Sequence, residues 1–236
     1  IRLWSMMDGH CLRVMHKHDA PVTGLAVTER FDVAVSCGQN GTLIVWDLQA
    51  GEGSVVPESQ NGDTLSVALD REGILFAAGC RDGSIAIWDI ESKKRLRSWH
   101  AHDAAVRCVA LDATGARLLS ASEDKTLKLW DFATGVLIRG LGGPNEDVLA
   151  IAPARDGRLA VSGSRDAAVR LWDLSTGCCL RTYRGHEGEV RSVALSADSQ
   201  CIVSAGVDHT VRLWDAGGKL QRFSAPLALC RALRSE

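Results

Sequence analysis

His102, Ser120 and Asp124 supply the three side-chain types of a hydrolytic triad, and the same three types return at His186, Ser204 and Asp208. A serine nucleophile needs an exposed hydroxyl and an oxyanion hole, and it is needed once. A set that recurs in register therefore reads as a structural unit. His16-Lys17-His18 and His100-Ala101-His102 space two imidazoles at alternate residues, so that a strand could present both on one face, and Cys178-Cys179 adds soft donors. Both His pairs sit at the same point of a repeating pattern, which again favours structure over ligation. Gly140-Leu141-Gly142-Gly143-Pro144 and Gly51-Glu52-Gly53 lack a following helix and the remaining glycines of a dinucleotide motif, and are read as turns. No catalytic residue, cofactor or metal is assigned from these motifs.

The elements that position these residues follow from a repeat. Trp4, Trp46, Trp88, Trp130, Trp172 and Trp214 are each 42 residues apart, with no insertion or deletion. Six of the 7 tryptophans are thus one position sampled six times, which explains why Trp outnumbers the 4 Phe and 1 Tyr. Trp99 alone stands outside the register.

Around each Trp, apolar residues alternate with others, as in Leu127-Lys128-Leu129-Trp130-Asp131 and Val211-Arg212-Leu213-Trp214-Asp215, so this segment is a strand. An earlier strand, such as Leu118-Leu119-Ser120-Ala121, joins it through a short turn carrying Asn40, Asp82, Asp124, Asp166 or Asp208. These side chains favour turns because they bond their own backbone. An inner strand lies upstream (Val22-Thr23-Gly24-Leu25, Val106-Arg107-Cys108-Val109), and an outer one follows each Trp-Asp after a turn usually closed by Gly51, Gly135 or Gly177. Four short strands per repeat form antiparallel sheets, and such sheets must stack to bury both faces.

Composition narrows the partners. The 236 residues are 46% hydrophobic and 24% charged, ordinary globular material. A net charge of −2 offers no general field for phosphate, so nucleic acid is not an expected partner. No apolar run reaches the roughly 18 to 20 residues that span a bilayer, and Ile1-Arg2-Leu3-Trp4 opens on a strand rather than a signal peptide, so no membrane insertion is expected. The eight cysteines (11, 37, 80, 108, 178, 179, 201 and 230) show no CxxC pair. They are expected to be reduced, mostly buried thiols of an intracellular protein, cytoplasmic or nuclear.

Five Trp-Asp dipeptides in register, the Trp4-Ser5 variant and Gly185-His186 make the chain resemble the WD40-repeat family of β-propellers with four-stranded blades. The resemblance implies a single all-β propeller domain over residues 1–236. Residues 18–59, 60–101, 102–143, 144–185 and 186–227 are then complete repeats, 1–17 the outer strands of a partial blade and 228–236 the start of a further repeat. Dividing 236 by 42 gives about 5.6 repeats. The expectation is an open or imperfectly closed ring, a fragment of a propeller of six, seven or more blades.

In this family, His, Ser, Asp and Trp of one repeat form a buried hydrogen-bonded tetrad. Two repeats keep all four: His102, Ser120, Asp124 and Trp130, then His186, Ser204, Asp208 and Trp214. The Trp46 repeat has His18 and Ser36 but Asn40; the Trp172 repeat has Ser162 and Asp166 but Pro144; the Trp88 repeat has Gln60 and Ala78, keeping only Asp82. The 60–101 blade is therefore expected to be the least stable.

The family also implies that partners meet the top face, at the residue before the turn Asp and the residue after the Val that opens the inner strand. The first class gives Gln39, Arg81, Glu123, Arg165 and Val207, the second Thr23, Leu65, Arg107, Leu149 and Arg191. Arg81, Arg107, Arg165 and Arg191 fall on consecutive blades and would form an arc able to grip acidic or phosphorylated peptides. Asp63, Glu123, Asp147 and Glu189 map to the same rim, so a solvated ring of ion pairs is the plainer reading of the same residues. Leu65, Leu149 and Val207 form an apolar complement suited to an ordinary protein interface. The functional expectation is a non-catalytic, intracellular scaffold for protein–protein interactions. The alternative is the substrate-receptor or sensor propeller of a larger regulator, of ubiquitin-ligase or signalling type.

Overall fold

The computed structural model describes residues 1–57, 64–143, 146–217 and 224–226. Gln60, Asp63, Pro144 and the segment 228–236 lie outside them. The described residues contain strands and turns and no α-helix, and no helix is long and apolar enough to cross a membrane.

The chain divides into two compact units, Ile1–Ala101 and His102–Glu236. The first holds a two-stranded pair, β1 (Arg2–Trp4) with β2 (Cys11–Val14), and two four-stranded sheets. These are β3 (Val22–Val27), β4 (Val33–Gly38), β5 (Leu43–Asp47) and β6 (Glu52–Val55), then β7 (Thr64–Leu69), β8 (Leu75–Cys80), β9 (Ser84–Asp89) and β10 (Arg95–His100). The second unit holds three more. They are β11 (Val106–Leu111), β12 (Arg117–Ser122), β13 (Leu127–Asp131) and β14 (Leu137–Leu141); β15 (Val148–Pro153), β16 (Leu159–Ser164), β17 (Ala168–Asp173) and β18 (Cys179–Arg184); β19 (Val190–Leu195), β20 (Cys201–Gly206), β21 (Thr210–Asp215) and β22 (Ser224–Pro226). Every sheet runs in sequence order with antiparallel pairs, as short turns between consecutive strands require.

The turn acids act through their side chains. Asp82, Asp124, Asp166 and Asp208 each accept from the backbone N–H two residues on, at 2.9, 2.9, 3.1 and 3.1 Å, and Asn40 does so at 3.2 Å. The Asp of each Trp-Asp pair does the same one turn later: Asp47 Oδ1 takes the N–H groups of Gln49 and Ala50, both at 2.8 Å, and Asp131 that of Thr134 at 2.8 Å.

Each core cluster is shared between neighbouring sheets, and a register tryptophan closes it. Trp88 packs with Val35, Cys37 and Leu43 of the preceding sheet, Trp172 with Leu119, Leu127 and Leu129, and Trp214 with Val161, Val169 and Leu171. Trp46, Trp88, Trp130, Trp172 and Trp214 are all buried. Trp4 departs from the expected core position: it is 48% exposed, because β1 and β2 pair with each other alone and supply no full sheet to cover it.

The cysteines also depart from expectation. All seven described ones are free, but Cys11, Cys178, Cys179 and Cys201 are exposed and only Cys37 is fully buried. Cys11 and Cys179 start outer strands, where one face of the strand has no sheet packed on it.

Candidate functional site: buried tetrads and a charged rim

Two repeats build the full tetrad with matching geometry. His102 Nε2 lies 2.7 Å from Ser120 Oγ, the Trp130 indole N–H donates to that same Oγ at 2.8 Å, and His102 Nδ1 lies 2.8 Å from Asp124 Oδ2. His186, Ser204, Trp214 and Asp208 repeat this at 2.7, 2.8 and 2.8 Å. The proton order follows from donor counting. The carboxylate accepts the Nδ1 proton, the hydroxyl donates to the Nε2 lone pair, and the hydroxyl oxygen accepts from the indole. Burial, opposed by Asp124, holds the His102 imidazole below its ordinary range, and donors from Thr126 and His102 hold Asp124 low against its own burial. The histidine is therefore neutral beside an ionised carboxylate.

This is the hydrogen-bond order of a hydrolytic triad, with one difference that removes the chemistry. The Ser120 side chain is fully buried and Ser204 is 1% exposed, and in each the oxygen that would attack is capped by an indole N–H. No substrate carbonyl can reach either oxygen.

The incomplete repeats show what each missing member costs. In the Trp46 repeat, His18 reaches Ser36 at 2.6 Å and Trp46 donates to Ser36 at 2.8 Å, but Asn40 stays with the Thr42 N–H and His18 Nδ1 is buried with no hydrogen-bond partner among the described residues. In the Trp172 repeat, Trp172 donates to Ser162 at 2.8 Å, and Asp166 is held by the buried Arg170 guanidinium, one contact being 3.1 Å and the other shorter. Arg170 thus supplies the cation-side partner for the turn carboxylate.

Sequence reasoning missed Arg170, and it missed Thr126 and Thr210. Their hydroxyls donate to Asp124 at 2.6 Å and Asp208 at 2.9 Å and lie 3.0 and 3.3 Å from the histidine Nδ1 atoms. A signal was present: the residue two after the turn Asn or Asp is Thr42, Ser84, Thr126 and Thr210 in four of five repeats.

The rim residues share a backbone cause. In every four-stranded sheet the pairing of inner strand to neighbour slips at one residue, so that Thr23, Leu65, Arg107, Leu149 and Arg191 are each the extra residue of a β-bulge. A bulge re-aims the side chain it carries. In the unit His102–Glu236, Arg107 pairs with Glu123 at 2.6 Å, and Arg165 bridges Asp147 at 2.6 Å and Glu189 at 3.0 Å. Arg191 closes on the same Glu189. Arg81, in the other unit, is exposed on the turn between β8 and β9 and makes no ion pair among the described residues. Val207 is 44% exposed, Leu65 half-buried and Leu149 buried. Among the described residues, no three His, Cys, Asp or Glu side chains gather in a metal-binding group.

Stacked four-stranded antiparallel sheets closed by a repeated Trp and pinned by His-Ser-Asp-Trp tetrads define a WD-repeat β-propeller. The model of the family described as "WD domain, G-beta repeat" matches residues 9–47, 56–89, 93–131, 135–173 and 177–215, which is most of the chain, and the chain belongs to the WD40 family. Among curated proteins, the chain is 38% identical over 73 residues to transducin beta-like protein 3 of Rattus norvegicus, a stretch covering 30% of this chain and 9% of that protein. It is 30% identical over 82 residues to periodic tryptophan protein 2 of Arabidopsis thaliana, covering 35% and 9%. The chain thus matches less than a tenth of the length of either relative. Proteins of this fold serve typically as interaction scaffolds.

Proposed function

We propose that this chain is a non-catalytic scaffold for protein–protein contacts inside the cell, cytoplasmic or nuclear. The observation that supports it most is the fate of Ser120 and Ser204, whose triad-like hydrogen bonds are buried and capped by indoles, while the re-aimed Arg107 and Arg191 of the inner strands keep partly exposed guanidinium groups. An enzyme keeps its reactive oxygen open to substrate; this chain spends it on holding strands together.

The second reading, capture of an acidic or phosphorylated motif by Arg81, Arg107, Arg165 and Arg191, meets a competitor in the rim itself. Glu123, Asp147 and Glu189 already occupy three of the four guanidinium groups, so an acidic ligand has to displace them. Fluorescence anisotropy with acidic and phosphoserine peptides separates the readings. Weak binding that Arg107→Ala and Arg191→Ala leave unchanged fits the ion-paired scaffold. Tight binding lost in both variants transfers the function to the receptor reading.

A further inference from the structure

Lys93 occupies the left-handed region at φ 57°, at a turn position where the other described repeats have Gly9, Gly51, Gly135 and Gly177, with φ of 72°, 77°, 74° and 78°. A side chain there costs energy that glycine avoids. Lys94 and Arg95 follow, so three cations stand in a row at the entry to β10, the edge strand of its sheet. Lys93 and Lys94 form no ion pair among the described residues, and the Arg95 guanidinium lies over the Trp88 ring, 5.9 Å from its centroid. Asp89 and Glu91 precede the row along the chain, but neither forms an ion pair with it among the described residues, Asp89 turning instead to the N–H and hydroxyl of Ser92 at 2.7 and 2.5 Å. The outer strands β2, β14 and β18 start with Cys11, Leu137 and Cys179 and bring no comparable charge.

Next in the chain is Leu96, the extra residue of a bulge where the β9–β10 register slips between Arg95 and Arg97, and it is 53% exposed. An exposed leucine framed by cations fits a ligand carrying both negative charge and apolar side chains. Phosphodiester chains satisfy the first requirement and gain nothing from the second.

We propose that the start of β10, Lys93 to Leu96, is a docking surface for an acidic partner segment with interspersed apolar residues, Leu96 receiving an apolar side chain while Lys93, Lys94 and Arg95 face its carboxylates. Charge complementarity selects this occupant. The surface lies at the opposite end of β9 from Arg81, so its test does not depend on the role of Arg81.

The test is anisotropy of the full chain with a labelled peptide alternating Glu and Leu, the same peptide with Ser for Leu, and a single-stranded oligonucleotide. Binding of the Glu–Leu peptide is expected to weaken about fivefold in Lys94→Glu, in Arg95→Gln and in Leu96→Ser, the effect of one exposed contact each. The Ser-containing peptide is expected to bind weakly to all. Unchanged unfolding curves establish that the variants are folded. Failure of the Glu–Leu peptide to bind overturns the proposal. So does an oligonucleotide that binds more tightly and is indifferent to Leu96→Ser, which makes the patch a polyanion site.

Discussion

Ala78 and Trp88 lie in one buried cluster, and the Trp88 indole N–H is buried there with no hydrogen-bond partner among the described residues. In the four neighbouring repeats a serine stands at the position of Ala78 and accepts the indole proton at 2.8 Å. A buried donor without an acceptor costs about 1–3 kcal/mol. Ala78→Ser is therefore expected to stabilise the unit Ile1–Ala101 by about 1 kcal/mol, read as a raised urea midpoint. Native-state hydrogen exchange on the parent should find β7–β10 among the least protected sheets; finding it the best protected would falsify this account.

Ser120→Ala tests the opposite change. It leaves Trp130 Nε1 and His102 Nε2 without their shared partner in a fully buried place, at an expected cost of roughly 2–3 kcal/mol. Ser204→Ala should behave alike. Because both hydroxyls are structural, partner binding by the folded fraction should be unaffected. Loss of binding at full folding would assign the serine a role beyond the blade.

Arg170 and Asp166 form a nearly buried pair, with side chains 10% and 16% exposed. Removing one charge leaves the other stranded, so Arg170→Met is expected to cost about 3 kcal/mol, and the double variant Arg170→Met/Asp166→Asn to recover much of it. A double-mutant cycle with no coupling between the two sites removes Arg170 from the role of histidine substitute.

The 42-residue spacing made the sheets and turns legible, because each depends on a residue type that recurs at a fixed offset, and the tetrads followed from the family resemblance that the spacing carries. What stayed hidden depended on context. Arg170 looks in sequence like Arg212 and Lys128, and only the absence of the histidine makes it the main partner of the turn Asp; Arg212, by comparison, lies 3.8 Å from Asp208. The bulges at Arg107 and Arg191 carry no glycine or proline to mark them. Ion pairing of the rim arginines was visible as an alternative, since their carboxylate partners map to the same loops, but sequence does not give the distances that decide it. The exposed cysteines escape a reading from residue type alone: Cys11 and Cys179 start outer strands, Cys178 lies in the turn before β18, and Cys201 is the first residue of β20.

Acid should unfold the protein in two stages, both set by the tetrads. His102 is held below its ordinary 6.5, first by burial, with Asp124 pulling the other way. Between that lowered value and 6.5 the unfolded chain holds more protons than the folded one, so the contribution to stability is complete above 6.5 and declines as pH falls through that window. Asp124 and Asp208 are held below 3.8 although burial alone raises them, because hydrogen bonds favour the ionised form: Thr126 and His102 to Asp124, and the Glu187 N–H, His186 and Thr210 to Asp208. Their contribution is complete above 3.8 and is lost as pH falls through the depressed values. Urea midpoints measured from about pH 8 down to about pH 5 should fall, and His102→Asn, already weaker, should show a shallower fall over the same range. A midpoint that rises on acidification, or a variant that tracks the parent slope, would mean that His102 is not buried neutral in the folded chain.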